Sequence, residues 1–145
     1  MLCRLAIVLL TAAAMAATIP GARAEGKAPD FAPGQMWSLK GYPAKVIVGQ
    51  VEPWYDTVVV HVSVIDIPGG IIKQLSHMPI EKPALAASVD KLLATDAKPQ
   101  PGFKSEYLSW KANPSSGIYS ATVPTTIELL LHNRSLSRAP AAVGQ

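Results

Sequence analysis

Apolar positions along this chain change their period halfway through. In the first half the period is two. Val58, Val60, Val62 and Val64 fall on one side of the run 57–67, and Val59, His61, Ser63 and Ile65 on the other. Such alternation predicts a strand whose all-valine side faces a core and whose histidine side faces away from it, at the sheet surface. Val46, Ile47, Val48 and Val51 mark a second strand over 44–51. Trp37 and Leu39 share a face of a third over 35–40, and 71–77 reads as a fourth. Gly41 and Pro43, the segment Glu52-Pro53-Trp54-Tyr55-Asp56, Pro68-Gly69-Gly70 and Met78-Pro79 punctuate these runs as turns. Strands joined by short turns predict an antiparallel meander.

From Pro83 onward the period lengthens. Leu85, Val89, Leu92 and Leu93 recur at helical spacing, with Pro83 placed where a first helical turn lacks nothing by losing an N–H. A helix over 83–95 is expected to cover the valine face. Phe103, Tyr107 and Trp110 repeat at i, i+4 and i+7, predicting a short helix with an aromatic stripe that packs in the core. Ile118 to Val123 reads as a short strand. Thr125-Thr126-Ile127-Glu128 has capping-box spacing ahead of Leu129-Leu130-Leu131, predicting a last short helix. The fold class is therefore α+β: a twisted antiparallel sheet of four to five strands, open or curled toward a small barrel, with one main helix and two short helices.

The N-terminus changes where this domain is expected to work. Arg4, the apolar run from Leu5 to Ala17, the breakers Pro20 and Gly21, and Ala22-Arg23-Ala24 form the pattern of a cleaved secretory signal. A spanning helix needs about 20 unbroken apolar residues, more than this run supplies. The expected organisation is a signal peptide over 1–24, a flexible linker over 25–33, one domain over 34–133 and a disordered tail over 134–145. Localisation is then periplasmic or secreted.

Cleavage also alters composition. Of 145 residues 24 leave, and 121 remain, enough for one domain with a modest core. Two of the 13 basic residues leave and all 10 acidic ones stay, so the formal charge falls to +1. With the lysines scattered singly from Lys27 to Lys111, a nucleic-acid partner is not expected. Neither is stable membrane insertion after cleavage. Cys3 departs with the leader, which removes disulfide, thiolate and Cys-metal chemistry from the mature form.

Candidate chemistry is sparse. No G-x-S-x-G elbow, H-E-x-x-H pair or glycine-rich phosphate loop is present. His61 and His77, on neighbouring strands, are the residues a small hydrolase or metal-dependent enzyme would use. Without a nearby carboxylate in sequence they read as two sheet-surface histidines, and no cofactor or metal is expected. Trp54 and Tyr55, adjacent at a turn, are either an exposed recognition surface or a tryptophan folded back over the end of the sheet.

Two resemblances add to this reading. Ser116-Gly117-Ile118-Tyr119 resembles the S-G-x-Y motif of periplasmic lysozyme inhibitors, which implies that Ser116 and Tyr119 sit on a loop that enters a lysozyme cleft. The helix over 83–95 departs from the nearly all-β fold of those inhibitors. More of the chain, about 33–131, is similar to a family of small uncharacterised bacterial proteins. The matching pieces are Gly34-Gln35-Met36-Trp37 with Lys40, His61-Val62-Ser63-Val64, His77-Met78-Pro79, and Ala84-Leu85 with Ser88-Val89. That similarity implies a single domain and carries no activity. The function expected is non-enzymatic binding of an exported protein or cell-wall component through Trp54, Tyr55, Ser116 and Tyr119. A lysozyme-inhibitor-like or immunity-type protein is the first alternative, and an enzyme using His61 and His77 the second.

Overall fold

A computed structural model describes residues 27–113 and 115–137. The leader, its cleavage site and the tail beyond 137 lie outside the described residues. Five strands form one antiparallel sheet in the order β4-β3-β2-β1-β5. They are β1 (Met36–Leu39), β2 (Tyr42–Trp54), β3 (Thr57–Ile65), β4 (Leu75–Glu81) and β5 (Val89–Ala94). Three helices accompany them: α1 (Lys82–Ser88), α2 (Phe103–Ala112) and α3 (Val123–Ser137). The sheet is open, with β4 and β5 at its two edges, so the barrel alternative does not hold. Among the described residues no helix is long and apolar enough to cross a membrane.

The valine alternation builds the core as expected. Val60, Val62 and Val64 of β3 meet Val46 and Val48 of β2, with Met78 and Ile80 of β4 alongside. Leu85 of α1 and Val123 and Ile127 of α3 cover this face. The opposite side of β3 is buried as well, contrary to the expectation of a solvated face. Val59, His61 and Ser63 are all fully enclosed, because α2 lies across that side. The sheet is thus sandwiched between α1 and α3 on one face and α2 on the other.

Several boundaries move. β2 runs through Glu52-Pro53-Trp54, and only Tyr55 and Asp56 form the turn to β3, with Trp54 paired to Thr57. β4 likewise runs through Met78-Pro79 to Glu81. Proline is tolerated there because β4 is an edge strand: the outward carbonyl of Pro79 accepts from the Tyr119 N–H, so the missing donor also faces outward. The segment 118–123 makes only this isolated parallel bridge, Ile80 to Tyr119, in place of a strand.

The expected helix over 83–95 is two turns of α1 followed by β5. Leu85 and Val89 are buried as its periodicity requires, but Leu92 and Leu93 are 45% and 48% exposed. The chain extends at Val89 because the free edge of β1 takes it up: Leu39 pairs with Val89 and Trp37 with Leu92, and Ser38 Oγ accepts from the Lys91 N–H. Phe31, placed in the linker by sequence, is buried in the core and packs edge-on against Trp37.

Candidate functional site

Two bulges shape the face beneath α2. In β2 the register shifts between Val48 and Gln50; in β4 the matching shift lies opposite Val62 to Val64. Leu75 and Met78 consequently both reach the valine core although they are three residues apart. Ser76 and His77 between them turn toward α2. Gly49, the extra residue in β2, is the seat of Phe103. A Cβ there would lie 2.2 Å from Phe103 Cζ, so the ring rests directly on the backbone.

These bulges bring the two histidines together. His61 Nδ1 lies 2.9 Å from His77 Nε2, and the rings stack with centroids 5.1 Å apart. On its other side His61 Nε2 approaches Glu52 Oε1 to 3.1 Å. That contact is bent too far from the ring N–H to be a well-formed hydrogen bond, and Nε2 finds no aligned partner among the described residues. Glu52 is claimed from α2 instead. The Tyr107 hydroxyl donates to Oε1 at 2.9 Å, and Lys111 Nζ donates to Oε2 at 2.7 Å and to the Tyr107 oxygen at 3.0 Å. The nearby carboxylate favours the proton of His61 on Nε2, which leaves Nδ1 to accept from the Nε2–H of His77.

Aromatic rings enclose this polar row. Tyr107 and Trp110 stand edge-on to His61 with centroids at 4.8 and 4.7 Å, and Phe103 stands at 5.5 Å from His77. Burial lowers the pKa of His61 against the opposing pull of Glu52. Burial, and then the neighbouring His61, lowers that of His77 to about 4. Burial alone would raise the Glu52 carboxyl, but the hydrogen bonds from Lys111 and Tyr107 outweigh it and hold the group low. The same hydrogen bond to Glu52 raises Lys111. At neutral pH the row is therefore a carboxylate–lysine ion pair beside two neutral imidazoles.

His77 also borders open space. A cleft of about 280 Å³ runs beside β4, bounded by Ser76, His77 and Gln74 on the strand side. Tyr119 and Glu106 form other walls, Leu130 and Arg134 of α3 close it, and Ile72, Leu75 and Met78 supply apolar surface. An apolar slot of about 30 Å³ continues from it between Ile67, Ile127 and Leu131, sharing Ile72, Leu75, Leu130 and Arg134 with the cleft. The cleft lies near the lower end of the ~300–1,000 Å³ range of small-ligand pockets.

The residues singled out by sequence separate. His61 and His77 do meet, but as an enclosed pair. Trp54 folds back onto Trp110, with centroids 4.5 Å apart, while Tyr55 stands 93% exposed at the hairpin tip. The two rings still meet edge-on, with centroids 5.5 Å apart, and so present no flat surface. Ser116 spends its hydroxyl on the carbonyl of Trp110 at 2.7 Å, and Trp110 Nε1 donates to Gly117 O, so this turn closes the end of α2. Tyr119 alone of the four borders the cleft. Glu52, Tyr107 and Lys111 were not anticipated as a group. The i, i+4 spacing of Tyr107 and Lys111 was visible, but the pairing that delivers Glu52 needed β2 to run through Pro53. Among the described residues no cluster of three or more His, Cys, Asp or Glu is arranged to hold a metal. No family model, curated protein or solved structure matches this chain.

Proposed function

We propose that this chain is an exported, non-enzymatic binding protein that holds a small ligand in the cleft beside β4. The observation that carries the reading is the cleft itself. It is the place where a side chain of the polar row, His77, meets polar groups on a strand, a helix and a loop above an apolar floor. Sites of that composition bind by burying apolar surface and are made selective by a few placed polar groups. The leader pattern ending at Ala24 supports export to the periplasm, where a protein or cell-wall fragment would be the source of the ligand.

A second reading is favoured by the order Glu52–His61–His77, which places a carboxylate behind two imidazoles and His77 at the cleft. A general base at His77 would follow from it. Against this, His61 is 0% exposed, and the Ser63 hydroxyl is committed to Ser76 O at 2.6 Å, so neither reaches a substrate. One experiment separates the two. The protein is purified after export, with its mass expected to begin at Glu25, and incubated with periplasmic small-molecule extract. Retained compounds are then read by mass spectrometry after gel filtration. A compound retained unchanged, and lost with Tyr119→Ala, supports binding. A compound consumed, with consumption abolished by His77→Ala, would establish the enzyme instead. Retention of nothing would sink the binding reading.

A further inference from the structure

We propose that the cleft beside β4 takes a zwitterionic ligand, an amino acid or short peptide with free amino and carboxyl groups and a small aliphatic side chain. Arg134 would hold the carboxylate and Glu106 the ammonium. This inference rests on the binding reading above and names its ligand class.

Charge complementarity carries it. Glu106 of α2 and Arg134 of α3 border the same cleft, come from opposite faces of the sheet and are both exposed. Neither forms an ion pair with any of the described residues, and they do not reach each other within 4.0 Å. Among the described residues that line the cleft, no other Asp, Glu, Lys or Arg is present. One cation and one anion left apart across a cleft suit a ligand carrying both charges, with the guanidinium fork fitted to a carboxylate. A purely anionic ligand would meet Glu106, and a purely cationic one Arg134.

The remaining surface fits the rest of such a molecule. The slot that opens beside Arg134 is walled by Ile67, Ile127 and Leu131 and has room for little more than a short aliphatic group. It shares Arg134 with the cleft, so a carboxylate held there places the adjoining side chain at the mouth of the slot. Gln74 and Ser76 offer an amide and a hydroxyl to a peptide bond. His77 is neutral at pH 7 and adds no charge to upset the balance.

The test is amide and methyl NMR of the purified protein titrated with leucine, the dipeptide Ala-Leu, and the doubly blocked N-acetyl-leucinamide. A panel of uncharged sugars and phenols is run beside them. Leucine or Ala-Leu is expected to shift the resonances of Gln74, Tyr119 and Leu130, with the free amino acid and the peptide distinguished by affinity. Blocking both ends should weaken binding by about tenfold or more, as should Arg134→Gln, because each removes a hydrogen bond to a charged group. Arg134 is exposed, so Arg134→Gln should keep the wild-type spectrum when free. Equal binding of blocked and free compounds, or of a sugar or phenol alone, would overturn the zwitterion class while leaving the cleft a binding site. Absence of cleft shifts with every compound would overturn both.

Discussion

His77 stands between two environments: its Nε2 meets the fully buried His61, and its ring borders an open cleft. Burial and the neighbouring imidazole set its pKa at about 4, against an ordinary 6.5 in an unfolded chain. Between those values the unfolded chain binds a proton that the native protein refuses. The stability that His77 contributes is therefore complete above about pH 6.5 and is lost as pH falls toward 4. Glu52, held low by Lys111 and Tyr107, acts in the same direction once the carboxylate range is entered. Because the ring borders the open cleft, solvent screening limits the loss attributable to His77 across this window to on the order of 1–2 kcal/mol. His77→Gln keeps a hydrogen-bonding side chain without a titrating group. Its urea midpoint is expected to fall less steeply than that of the wild type between pH 7 and pH 4.5. Parallel curves for the two proteins would show that His77 takes up its proton without resistance in the native state.

At the scale of elements, Ser88 marks where a helix becomes a strand. Its hydroxyl donates to Ala84 O at 2.7 Å within α1 and accepts from the Val123 N–H at 2.9 Å, at the start of α3. Both ends are buried, so Ser88→Ala would leave the Val123 N–H without a partner, at a cost of about 1–3 kcal/mol. A denaturant midpoint unchanged within error would mean that α3 starts independently of α1. The same junction shows what could be read in advance. Leu85 and Val89 carry the helical period that α1 uses, so a helix near Pro83 was legible. Its end was not, since nothing local distinguishes Asp90-Lys91-Leu92-Leu93 on a helix from the same residues paired to the free edge of β1. Prolines misled in a related way. Pro53 and Pro79 look like strand breakers, yet each sits inside a paired strand, and the β4 edge position that excuses Pro79 is a property of the assembled sheet. The aromatic period at Phe103, Tyr107 and Trp110 gave α2 directly. That α2 would cover the histidine face was hidden, because Gly49 and the two bulges admit it there.

For the whole molecule, the two covers of the sheet are held unequally. α1 and α3 close a continuous apolar core running from Val46 through Val60 and Met78 to Ile127. α2 instead covers a polar row, contributes two buried residues, Phe103 and Trp110, and leaves Leu108 exposed. Gly102, at the position that caps its first turn, supplies no side-chain cap. Lifting α2 therefore exposes less apolar surface than parting the valine core, and its opening free energy should lie below that of global unfolding. Acid should lower both free energies, since an opened α2 and the unfolded chain alike let His61 and His77 take protons that the closed state excludes. Native-state hydrogen exchange makes the ranking measurable. At pH 7 the amides of Tyr107 to Ala112 are expected to exchange well before those of Val60 to Val64. At pH 4.5, after correction for intrinsic exchange, protection should fall in both segments, with α2 still the less protected. Equal protection of α2 and β3 at both pH values would mean that the histidine face opens only when the whole sheet does, and that the polar row is locked in by the fold rather than by its own helix.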